Sequence, residues 1–169
     1  MTAAQFLKST IPVGTRLSSE EIAVHIPQAL REQSFFSAQT VYADHLSNTR
    51  DDITKALDGG MSPAQIRTNM KRRLNELGYQ PDPDKRGSLE DLSSDLRTAL
   101  VINQNTQRAQ GYAKWRSLQD DETLQDFPAL ELFRAVAKKK ERDWRTRWND
   151  ARAQLGDGNT TATLATSKD

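Results

Sequence analysis

The chain has 169 residues, 36% of them apolar and 28% charged, with a mean hydropathy of −0.77, which suits one domain with a thin core and poorly ordered ends. It has no cysteine, which excludes a disulfide framework and any thiolate metal site. No apolar run approaches the roughly 18 residues of a membrane span, and Met1-Thr-Ala-Ala-Gln-Phe-Leu-Lys8 lacks the basic leader and long apolar stretch of a signal peptide.

The net charge of +1 conceals an asymmetry. Residues 1–133 hold 15 Lys and Arg against 18 Asp and Glu, a net of −3, whereas residues 134–152 hold 8 against 3, a net of +5. Such a block suits an anionic partner, or is a solvated basic face.

Residues 1–17 lack periodicity, are punctuated by Pro12 and Gly14, and read as an N-terminal arm. Ser18-Ser-Glu-Glu21 is a helix start, a hydroxyl cap followed by acids where the helix dipole favours carboxylates. Pro27 breaks or kinks that helix early. Phe35, Ala38, Tyr42, Leu46, Thr49, Ile53 and Leu57 recur every three or four residues and predict a helix over 35–58, stopped by Gly59-Gly60. Ser62-Pro63 supplies a cap and a first-turn proline for a helix over 63–77. Its stripe is Ile66, Met70, Leu74 and Leu77, and Gly78 stands where a left-handed residue ends a helix.

Gln80-Pro-Asp-Pro-Asp-Lys-Arg-Gly87 is a loop by its turn residues. Ser88 or Asp91 opens a third long helix over 91–118, with Leu92, Leu96, Ala99, Ile102, Thr106, Ala109 and Ala113 as its core stripe and Asn105 at the edge. Residues 120–126 read as a turn. The run Pro128-Ala-Leu-Glu-Leu-Phe-Arg-Ala-Val136 is too short for periodicity to choose between strand and helix. Residues 156–169 have little to bury and read as a disordered tail. The expected architecture is mostly α: an arm (1–17), a helical domain (18–155) of packed long helices with a basic, Trp-rich extension (134–152), and the tail.

Two surfaces stand out. On the third long helix Arg97, Val101, Gln104, Arg108 and Trp115 fall within about 60° of one another, opposite the core stripe. Arginine and tryptophan anchor protein interfaces, so Arg97, Gln104, Arg108 and Trp115 are candidate partner-binding residues; the alternative packs Trp115 on the following loop. Asn105 has four hydrogen-bonding sites and cannot satisfy them alone if buried; the alternative is that it lies at a wet helix edge or bonds a neighbouring helix. In Arg142-Asp-Trp-Arg-Thr-Arg-Trp148, Trp144 and Trp148 share a helical face and extend the partner-binding set. Lys138, Lys139, Lys140, Arg142, Arg145 and Arg147 are candidate phosphate or anion contacts, which would be salt-sensitive and blind to base sequence. The alternative is a pair of core tryptophans with solvated arginines.

Catalytic chemistry finds no constellation. His25 and His45 stand alone, Asp44 and His45 do not face each other on a helix, and no nucleophile elbow, phosphate loop or metal-ligand spacing occurs. Asp51-Asp52 and Asp120-Asp-Glu122 read as capping or solvated acids. A non-enzymatic protein without metal or cofactor is expected.

Taken in order, Ser34-Phe-Phe-Ser-Ala38, the helix ending Ala109-Gln-Gly-Tyr-Ala-Lys-Trp115, Phe127-Pro-Ala-Leu-Glu-Leu-Phe-Arg134 and Arg142-Asp-Trp-Arg-Thr-Arg-Trp148 resemble tailed-phage or prophage minor head proteins of the Mu-type head morphogenesis family. The resemblance spans residues 17–156. Family members carry an Arg-Thr-Asn-type signature in the long helix; here the position reads Asn103-Gln-Asn-Thr106, and the role of that arginine is not carried over. The family usually continues beyond the Trp-rich segment, so the resemblance implies a fragment or a shortened copy. It also implies a structural role in the host cytoplasm during assembly and then in the virion head. Portal or capsid proteins would be its partners, with DNA-binding through residues 138–152 as the alternative.

Overall fold

The computed structural model describes residues 1–126. The chain divides into a first unit, Met1–Arg116, and a second, Ser117–Asp169. The described part of the second carries one short helix, Asp121–Asp126, where the sequence suggested a turn. The fold is mostly helical, as expected.

In the first unit the chain runs α1 (Ala3–Ser9), β1 (Ile11–Pro12), α2 (Ser19–His25), α3 (Gln28–Gln33), β2 (Ser34–Phe35), α4 (Ala43–Leu57), α5 (Pro63–Glu76), a 3₁₀ turn (Pro83–Lys85) and α6 (Asp95–Ser117). The expected arm is instead folded. Thr2 Oγ1 accepts from the Gln5 amide and the Gln5 side chain accepts from the Thr2 amide, a reciprocal cap that starts α1. Leu7 is fully buried and Phe6 nearly so. Seven residues are too few for periodicity to register, and the capping box was the readable signal.

Strands β1 and β2 pair in parallel, Ile11 with Ser34 and Pro12 with Phe35. The pairing continues through Val13 N–H to the Phe35 carbonyl (2.9 Å) and Thr15 N–H to the Thr40 carbonyl (2.8 Å). A Cβ on Gly14 would lie 2.5 Å from the Val41 carbonyl oxygen, so only glycine permits this approach.

A second correction concerns the helix expected over 35–58, which begins only at Ala43. Phe35, fully buried, belongs to β2, and Gln39 takes a positive φ of 56° in the intervening turn. The 35–38–42 spacing matched a helix by coincidence. Pro27 does break the preceding helix, separating α2 from α3. The ends of α4 and α5 are as read. Gly59 (φ 81°) and Gly78 (φ 73°) are left-handed, and the pairs Gly60 N–H to Lys55 carbonyl and Tyr79 N–H to Leu74 carbonyl close Schellman motifs.

A third correction turns α6 on its axis. Leu96, placed in the core stripe, is 61% exposed, while Thr98, Val101, Ile102, Asn105 and Ala109 are buried. The buried face is rotated by roughly a quarter turn from the expected stripe, toward Val101. Helix α4 is the hub, packing against α1, α5 and both strands. Phe6, Leu7, Phe35, Leu46, Ile53, Ile66, Met70, Val101, Ile102 and Ala109 form one core.

Candidate functional site

Helix α6 carries the face first read as a partner surface, and the structure divides that face in two. Val101 is buried and the two arginines are turned inward. Arg97 donates through Nη2 to Ser37 Oγ (2.6 Å) and the Ala38 carbonyl, and through Nη1 to the Leu89 carbonyl (3.3 Å). Three helical turns later Arg108 donates through Nη1 to the Ser34 carbonyl (2.9 Å) and through Nη2 to the Arg31 (3.0 Å) and Glu32 carbonyls. The last carbonyls of α3, orphaned by the helix end, thus find a guanidinium. Burial lowers the pKa of both arginines, yet both remain cations at any physiological pH. Apart from the Leu89 bond, these donors reach the chain's own segment 31–38.

Gln104 and Trp115 are the open residues of the face. Gln104 is exposed and Trp115 is 49% exposed. The Trp115 ring lies 5.7 Å from Tyr112, which stacks on Phe6 at 4.0 Å, and the Arg108 guanidinium sits 5.5 Å from the Phe6 centroid. Phe6, Tyr112 and Arg108 line a cleft of about 470 Å³ with Met1, Thr10 and Ile11 at its walls. A cleft of that volume, aromatic with a few polar groups, can take a side chain or a small apolar body. The expectations for Trp144, Trp148, Lys138, Lys139, Lys140, Arg142, Arg145 and Arg147, the 128–136 run and the 156–169 tail lie outside the described residues.

Asn105 is a further correction. It is buried, and its Nδ2 donates to the Val101 carbonyl of its own helix at 2.9 Å, neither at a wet edge nor bonded to a neighbouring helix. Thr98 behaves alike, its hydroxyl donating to the Ser94 carbonyl at 2.9 Å.

The sequence reading missed a polar seam between α4 and α5. His45, Thr49 and Asp52 are buried at helical spacing on one face of α4. Arg73 Nη1 of α5 lies 2.8 Å from Asp52 Oδ2, and Asn69 Nδ2 donates to the same oxygen at 3.1 Å. Asp51 and Asp52 were both read as capping or solvated acids, yet only Asp51 is at the surface, where it pairs with Arg50 at 2.8 Å. The available signal was position, since Asp52 falls in the same stripe as His45 and Thr49. Burial, aided by the positive charge of Arg73, pulls the His45 pKa down to about 4.

This seam neutralises its own charges and opens to no large cavity. Among the described residues no group of three or more His, Asp or Glu is placed to hold a metal ion, and no helix is long and apolar enough to cross a membrane. No known protein family, curated protein or solved structure matches the chain. The functional reading therefore rests on the residues and their geometry.

Proposed function

We propose that the chain is a non-enzymatic structural protein of a tailed-phage head, a minor head protein that associates with portal or capsid proteins during head assembly and genome packaging or delivery. The observation that carries the reading is the half-exposed Trp115 beside the Tyr112–Phe6 stack and its cleft. Aromatic side chains held in place by stacking anchor contact centres with little ordering entropy left to lose. The order of motifs in the sequence supports the same reading. Arg97 and Arg108 then act as supports that fix α6 to segment 31–38, leaving Gln104 and Trp115 to meet the partner, with Trp144 and Trp148 as the second contact.

The test is co-expression with a tailed-phage portal protein, followed by size-exclusion chromatography with light scattering at about 0.3 M salt, where exposed electrostatic contacts are largely screened. A co-eluting complex that Trp115→Ala weakens is the expected outcome. A free monomer would remove portal binding.

The charge asymmetry favours one further reading, a DNA-binding accessory module acting through Lys138, Lys139, Lys140, Arg142, Arg145 and Arg147, in a segment of net charge +5. Its mark would be an affinity for duplex DNA that falls steeply between about 50 and 200 mM salt.

A further inference from the structure

We infer that the interior of the first unit binds one ordered water molecule, held jointly by α4 and α6. Among the described residues five buried side-chain atoms have no hydrogen-bond partner, and three of them, His45 Nδ1, Thr49 Oγ1 and Arg97 Nε, belong to residues around one cavity. His45 and Thr49 stand one turn apart on α4 and Arg97 stands on α6, and all three residues line the same small cavity, together with Ser37 and Thr40. His45 is 4% exposed and Thr49 fully buried, so bulk solvent does not serve these atoms.

The chemistry of the three matches water. Arg97 Nε–H only donates, the Thr49 hydroxyl donates and accepts, and Nδ1 of a neutral imidazole accepts when the proton is on the other nitrogen. A buried water typically makes about three hydrogen bonds to otherwise unsatisfied groups, which is the number of atoms waiting here. The space fits as well: about 10 Å³ is open to a water-sized sphere, enough for one water and too little for an organic ligand. Such a water joins the hub helix to the arginine that fixes the 37–38 turn.

A crystal structure of the full chain at about 1.5 Å, with a bromide-soaked crystal beside it, tests this. The expected result is a solvent peak within about 2.6–3.2 Å of all three atoms, without anomalous signal after the soak. In solution a long-lived water-to-protein NOE at Thr49 should persist in Thr49→Ser and vanish in Thr49→Val, the valine lowering Tm by a few degrees. A dry cavity with the Thr49 hydroxyl bonded back to its own helix would overturn the proposal. So would a bromide peak, which would make the occupant an anion.

Discussion

At the scale of single residues, His45 and Asp52 show how burial turns ordinary side chains into sensitive ones. An imidazole with a folded-state pKa of about 4 and a reference near 6.5 binds its proton more readily in the unfolded chain. The stability it supports is therefore complete above pH 6.5 and is lost as the pH falls toward 4. The loss amounts to at most about 3 kcal/mol before allowance for solvent screening. Urea midpoints should fall between pH 7 and pH 4.5, and His45→Gln should flatten that slope. Asp52→Ala leaves Arg73 buried without its carboxylate, and a loss of about 3–5 kcal/mol is expected from breaking one side of a buried pair. Replacing Asp52 and Arg73 together by leucine and methionine should cost clearly less than Asp52→Ala alone. Equal losses would mean the seam is not a pair.

At the scale of elements, attachment is uneven. Helix α3 buries no residue and α2 buries only Ile22, while α4 and α5 supply much of the core. Amides of α2 and α3 should exchange with solvent much faster than those of α4 and α5, since local opening exposes little apolar surface. Arg108 is what holds the end of α3. Arg108→Ala should speed exchange through residues 28–35, and Arg108→Lys should not restore it, because an ammonium cannot span the three carbonyls that the planar fork reaches. Exchange unchanged in both variants would remove the clamp. Gly14→Ala, which drives a Cβ into the Val41 carbonyl, should cost about 1–3 kcal/mol by the same thermal or urea measurement.

At the scale of the molecule, the proposed partner surface is separable from the scaffold. Trp115 is half exposed and outside the core, so Trp115→Ala should leave Tm within about a degree or two of the parent. The same variant should reduce co-elution with portal protein. A large fall in Tm would show that Trp115 acts as a packing residue. Phe6→Ala, which removes the ring beneath Tyr112, should lower both stability and partner binding.

Local chemistry determined what could be read directly. Caps, prolines and glycines act within four or five residues, so the starts of α2 and α5, the break at Pro27 and the left-handed ends at Gly59 and Gly78 were legible before any tertiary contact. The mostly helical class followed from periodicity. Tertiary structure decided the rest. Phe35 is a strand residue because β1 lies beside it, and α6 is rotated so that Val101, Ile102 and Ala109 join the core that holds Phe35 and Leu46. Two arginines read as partner anchors donate instead to the chain's own Ser37 hydroxyl and to the carbonyls of Arg31, Ser34 and Ala38, which lie 59 to 77 residues away. Asp52 became half of a buried pair only when α5 brought Arg73 within 2.8 Å. Periodicity fixes which side chains share a face; what that face meets is set by long-range contacts, and no local pattern encodes them.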